Sequence, residues 1–259
     1  MIYRSLLMTL AALLLIGCSG KSLETDVLAI DDTSAEAPSI SWFSRIAIDT
    51  WLRYQVWSGT RSGFVVLLAR DGQPVYATTT GWADIDSETP MRMDTRMRFA
   101  SMTKPVVAVA AHILIEEGKL SLDDRVDSFI PEFSNAGVAT SHTRDSEGQF
   151  PTIPAVPIMQ VKHLLMFASG IGPGYGDKSE LIDHWQANGS RSHTSGTMQE
   201  RVAHLGTLPL FENPGSRWRY GWSADVLASI IEIVSQQPLD EFLQERIFNP
   251  LQMTQTHYR

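Results

Sequence analysis

Ser101-Met102-Thr103-Lys104 stands at the head of an apolar run, Val106-Val107-Ala108-Val109-Ala110-Ala111, that the pattern predicts to be the start of a buried helix. Residues three apart share a helix face, so this spacing brings an amine to a hydroxyl. An amine beside a serine can help take its proton and turn a weak alcohol into a nucleophile. The same four letters also fit a helix N-terminus with a capping Ser and a solvated Lys. The surrounding sequence has to decide between the two.

The first residues are not read as fold. Arg4 is followed by an apolar run from Leu6 to Ile16, too short to span a bilayer and suited to the apolar core of a secretory signal. The run ends Leu15-Ile16-Gly17-Cys18, and Cys18 is the only cysteine in the chain. This resembles the bacterial lipoprotein box, in which the Cys is lipidated and becomes the new N-terminus. The expectation is a signal peptide over residues 1–17, a flexible tether over 18–40 and a folded domain over 41–259. It places the protein lipid-anchored on the periplasmic side of a bacterial cell envelope, with Ser19 favouring the outer membrane. A single cysteine allows no disulfide within the chain.

The formal net charge of -8 argues against nucleic acid as the main partner. Three motif-like fragments fail on spacing. Gly20-Lys21-Ser22 has Leu15 where a phosphate-binding loop needs its first Gly. The acidic stretch from Asp84 has Thr89 and Thr95 where a calcium loop needs Gly and Glu. No two of the seven histidines have the i, i+4 spacing of a helical zinc site. No metal and no cofactor are expected, and His112, inside the helix after Ser101, is read as packed or half-buried.

Hydrophobic periodicity predicts a helix over Trp42–Trp57, then an antiparallel hairpin from Gly63 to Gly81 turned by Asp71-Gly72. It predicts a helix from Ser101 to Glu117 stopped by Gly118, a surface loop over 134–157 and a helix over Val161–Phe167. Two more helices are expected over Ser223–Ser235 and Leu239–Phe248.

Phe99-Ala100-Ser101-Met102-Thr103-Lys104-Pro105 resembles the nucleophile motif of the serine β-lactamase and penicillin-binding-protein superfamily. Its flavour is that of the class C β-lactamase-like branch, with family VIII esterases and D-alanyl-D-alanine carboxypeptidases. Gly63-Phe64-Val65-Val66 and Gly81-Trp82-Ala83-Asp84 are similar to the family's opening hairpin. Val161 to Ile171 resembles its "DLLxHTSGL" segment, with Phe167-Ala168 for His-Thr, and Asn249-Pro250-Leu251-Gln252-Met253 resembles its "PLGM" corner. The resemblance covers about residues 42–259.

It implies an α+β fold, an antiparallel sheet with a helical region. It also implies a hydrolase that forms an acyl-serine on an ester, a β-lactam or a D-Ala peptide. Tyr220, in Trp218-Arg219-Tyr220-Gly221-Trp222-Ser223, fits the slot of the family's second catalytic motif, completing Ser101 and Lys104. Trp222 stands where the commoner pattern has Asn, and Ser223 is expected to offer a hydroxyl to substrate instead. Trp218, Trp222 and Tyr175 form a candidate aromatic wall.

The family's third motif, a strand bearing Lys-Thr-Gly or an equivalent, has no counterpart before Arg259. His193-Thr194-Ser195-Gly196 precedes Tyr220 and reads as loop. The expectation is that the C-terminal strands are missing and that the chain is a fragment or poorly active. The rival reading is a non-catalytic lipoprotein that binds peptidoglycan or a partner.

Overall fold

Ser41 opens the first helix, its hydroxyl accepting from Ser44 N at 3.1 Å as an N-cap does. In a computed structural model describing residues 39–174, 178–189 and 196–258, the chain divides into two units, one ending at Met97 and one beginning at Arg98.

The first unit holds helix α1 (Trp42–Trp57) and a sheet of strands β1 (Gly63–Arg70), β2 (Gln73–Asp84) and β3 (Thr89–Pro90), in that order. β1 and β2 pair antiparallel from Gly63↔Gly81 to Arg70↔Gln73. The turn between them takes positive φ at both Asp71 (52°) and Gly72 (75°), the twist that a tight hairpin needs. Gly81 is required by contact as well, since a Cβ there would stand 2.3 Å from the Ser62 carbonyl oxygen. α1 buries Leu52 and ties to β2 through Tyr76, whose hydroxyl lies 2.5 Å from Asp49 Oδ1. Burial first, then the Asp49 carboxylate, push the Tyr76 phenol up to about 12. Six large apolar side chains of α1, among them Trp42, Phe43 and Trp57, remain exposed.

The second unit is mainly helical. A 3₁₀ turn (Ala100–Met102) leads into α2 (Thr103–Glu116), which Gly118 stops at φ 67°. Pro105 sits in the first turn of α2, where its missing N–H costs no helical bond. Then come α3 (Val161–Leu165), α4 (Glu180–Asn188), α5 (Met198–Gly206), α6 (Ser223–Ser235) and α7 (Leu239–Leu243). α7 runs on as a π-helical turn over Gln244–Phe248 rather than a regular helix.

α6 is the central element. Val226, Leu227, Ile230 and Ile231 are buried on it, against Val107, Ala110, Ala111 and Leu114 of α2 and against α3 and α7. A helix with so little polar surface has to be enclosed. The core therefore fixes α2 and α6 against each other, and with them the residues at their N-terminal ends.

Two expectations need correction here. Residues 134–157 are more than surface loop: β4 (Gly137–Ala139) pairs with β5 (Thr152–Pro154), and Val138 and Phe150 are buried. Apolar side chains within this polar-looking stretch seal the core. His112 is exposed rather than packed, its Nδ1 lying 2.8 Å from the Ala108 carbonyl oxygen on its own helix. No helix among the described residues is long and apolar enough to cross a membrane. Cys18, Tyr175 and His193 to Ser195 lie outside the described residues.

Candidate active site

Ser101 lies in the 3₁₀ turn before α2 and Lys104 in the first turn of α2. The predicted spacing holds: Lys104 Nζ donates to Ser101 Oγ at 3.3 Å. Tyr220 arrives from just before α6, its hydroxyl 2.7 Å from Ser101 Oγ. The Lys104 ammonium stands 4.8 Å from the centroid of the Tyr220 ring, within the range of a cation–π contact. The three polar groups thus converge on one oxygen. Ser101 is exposed, while Lys104 and Tyr220 are half-buried.

The backbone before Ser101 is unusual. Ala100 has φ 45°, a left-handed conformation that costs a non-glycine residue about 1–2 kcal/mol. Strain of this kind persists where the surrounding structure holds it. Here it turns the chain so that Ser101 projects at the mouth of α2.

Tyr220 is placed by three neighbouring contacts. The Phe167 ring stacks on it with centroids 5.7 Å apart and planes 17° from parallel. Arg219 N donates to the Phe167 carbonyl at 2.7 Å. The Arg219 guanidinium, 9% exposed, pairs with Glu212 at 2.7 Å and donates to the Pro173 carbonyl at 2.9 Å. The next residue has to be glycine, because a Cβ on Gly221 would fall 1.9 Å from the Ile171 carbonyl oxygen. Trp222 N in turn donates to that oxygen at 3.2 Å. The segment from Phe167 to Gly172 and the segment from Arg219 to Trp222 are therefore laced together at van der Waals contact. The Phe-Ala that replaces His-Thr in the family-like segment supplies the ring under Tyr220.

A cavity of about 370 Å³ opens beside these groups, lined by Ser101, Lys104, Tyr220, Trp222, Trp185 and Asp225 among others. Trp222 lines it. Ser223 does not: it is fully buried, its hydroxyl 2.7 Å from that of Ser169. As the first residue of α6 it faces the core, where Ser169 is its hydrogen-bond partner, so it offers nothing to a substrate. Trp218 is 66% exposed, its ring tilted 50° to that of Tyr220 with centroids 6.4 Å apart.

Asp225, Trp185 and Gln186 line the cavity, and no sequence pattern singles them out. Asp225 lies in the first turn of α6, and burial raises its carboxyl above the ordinary carboxylate value while Lys104 opposes the shift. Among the described residues no group of three His, Cys, Asp or Glu could hold a metal ion.

Known proteins resemble the chain over most of its length. The chain is 32% identical over 195 residues to esterase EstB of Burkholderia gladioli, covering 74% of this chain and 45% of that protein. It is 33% identical over 214 residues to lovastatin esterase of Penicillium rubens, covering 82% and 52%. Among solved structures, EstCE1, a hydrolase with promiscuous acyltransferase activity, superposes with a TM-score of 0.64 at 26% identity, over 80% of this chain and 51% of that one. The chain thus spans about half the length of the relatives it matches. The family model described as Beta-lactamase matches residues 48–259, and the chain belongs to that family.

Proposed function

We propose that this protein is a serine hydrolase that cleaves small carboxylic esters through an acyl-serine intermediate. The observation that carries the reading is the convergence of Lys104 Nζ and the Tyr220 hydroxyl on Ser101 Oγ, at 3.3 and 2.7 Å. The esterases among its relatives support the ester as substrate class, and the D-amino acid amidase among its structural neighbours keeps amides in range.

The reaction runs in two halves. Tyr220 acts as the phenolate: Ser101 Oγ attacks the carbonyl carbon and passes its proton to the Tyr220 oxygen, the nearer of its two partners. The tetrahedral adduct collapses, the bond to the leaving alcohol breaks, and Tyr220 returns the proton to that alcohol. Lys104 stabilises the negative charge that the phenol oxygen bears before it takes the proton and again after giving it up. The Ser101 backbone N–H, in the 3₁₀ turn that leads into α2, is suited to the developing oxyanion. Water then attacks the acyl-serine along the same proton path, releasing the acid.

The experiment is turnover of 4-nitrophenyl butyrate by the chain and by Ser101→Ala. Hydrolysis that vanishes in the variant supports the reading, and equal hydrolysis in both refutes it. A β-lactam and a D-Ala-D-Ala peptide assayed in parallel separate the narrower substrate classes. We also propose that Cys18 carries the lipid anchor. Palmitate incorporation that survives Cys18→Ala would sink that part.

A further inference from the structure

The cavity beside Ser101 has a charge pattern that the reaction itself does not require. Among its described lining residues, Lys104 is the one with an amine and Asp225 the one with a carboxyl group. Lys104 is already committed to Ser101 and the Tyr220 ring. That leaves the Asp225 carboxyl as the acidic group lining the volume, with the apolar side chains of Trp185 and Trp222.

We propose, resting on the acyl-serine reading, that Asp225 is a specificity-determining residue that excludes substrates bearing a carboxylate near the reacting carbonyl and selects esters of uncharged acyl groups. A carboxylate brought into this cavity would meet a like charge with no free cation among the described lining residues to offset it. Like charges forced together are costly, and such rejection is a common route to specificity. β-Lactams and D-Ala peptides carry that carboxylate, whereas simple esters do not.

The charge on Asp225 is set by several neighbours. Lys104 of α2 and Arg201 of α5 favour the carboxylate, burial opposes it, and Tyr258 near the C-terminal end feels its field. Because burial has the largest effect and raises the titration, Asp225 loses its charge on acidification before an ordinary carboxylate would. Rejection of anions therefore fades as pH falls.

The test uses matched pairs of equal chain length. For turnover these are 4-nitrophenyl hexanoate and the 4-nitrophenyl half-ester of adipic acid. For binding without reaction, hexanamide and adipamate are titrated into the Ser101→Ala chain and followed by ligand NMR. The expected preference for the neutral member is at least about tenfold in both assays. Asp225→Asn should bring it to within about threefold of unity, while Asp225→Glu keeps it. A preference unchanged in Asp225→Asn, or no neutral preference in the parent chain, overturns the inference. So does failure of both amides to bind.

If neither ester acylates Ser101, the acyl-serine reading falls by itself, and the amide pair still reports on Asp225. Should Asp225→Asn not fold, the parent chain titrated from neutral toward acid decides. A neutral preference that does not shrink while adipamate is still ionised refutes the assignment.

Discussion

The hydroxyls of Ser101 and Tyr220 lie 2.7 Å apart although 119 residues separate them in the chain. The contact exists because α2 and α6 pack through their apolar faces, which brings the turn before one helix to the turn before the other. Tyr220→Phe keeps the ring, and with it the stack on Phe167, but removes the proton acceptor. Ester turnover should fall by about 10²- to 10⁴-fold, with the thermal unfolding midpoint nearly unchanged. A rate within threefold of the parent would remove Tyr220 from the mechanism.

Gly221 carries the tightest approach of the site: a Cβ at this position would stand 1.9 Å from the Ile171 carbonyl oxygen. Gly221→Ala must push two backbone segments apart. It should lower unfolding stability by at least about 2 kcal/mol and displace Tyr220, so that activity falls further than stability alone explains. Denaturant unfolding read beside the residual turnover of the folded fraction separates the two effects.

Phe167 touches Tyr220 at 5.7 Å in a near-parallel stack, an arrangement worth about 0.5–1.5 kcal/mol. Phe167→Ala frees the phenol to swing, so the acylation rate should drop by a few-fold to about tenfold, and Phe167→Tyr should restore it. An Ala variant with the parent's rate would leave the stack a packing feature without catalytic consequence.

Two histidines contribute to the loss of stability in acid. His163 is 5% exposed and accepts from Gln160 N at 3.1 Å through Nδ1. His184 Nδ1 lies 3.1 Å from the Arg144 guanidinium and 3.0 Å from Asn188 Nδ2. Burial, with Lys162 near the first and with Arg144 and His204 near the second, holds both below the ordinary histidine value. The unfolded chain then binds protons at a higher pH than the folded one. Stability from these groups is complete above about pH 6.5 and is lost as pH falls from there toward their folded values. Thermal midpoints measured from pH 8 to 5 should be level at first and then decline. A midpoint constant across the window would contradict the assignment.

The sequence makes some of this readable and hides the rest for physical reasons. Ser101 and Lys104 are local, one helical turn apart, so their meeting follows from helix geometry alone. Asp71-Gly72 marks the hairpin because a positive φ at both turn residues demands such a pair. The bounds of α6 follow from its apolar composition. Tyr220 is reached only through family resemblance, since no periodicity links residues 119 apart.

Asp225 escapes notice because a single acidic residue in a helix's first turn reads as an ordinary dipole partner. α4 and α5 are absent from the sequence reading too, although Ser179 and Thr197 cap them and Leu181, Ile182 and Trp185 have the spacing of a buried face. Ser223 misleads for a related reason: its position beside Trp222 gives no sign that the start of α6 points it toward Ser169.

The central claim is that Ser101 is the nucleophile, and the most direct measurement is covalent capture. The chain is incubated with an alkyl fluorophosphonate, weighed intact and digested to find the modified peptide. The account predicts one adduct per chain, located on Ser101, absent from Ser101→Ala and strongly slowed in Tyr220→Phe and Lys104→Met. No adduct, or one on another residue at the parent rate, would contradict it.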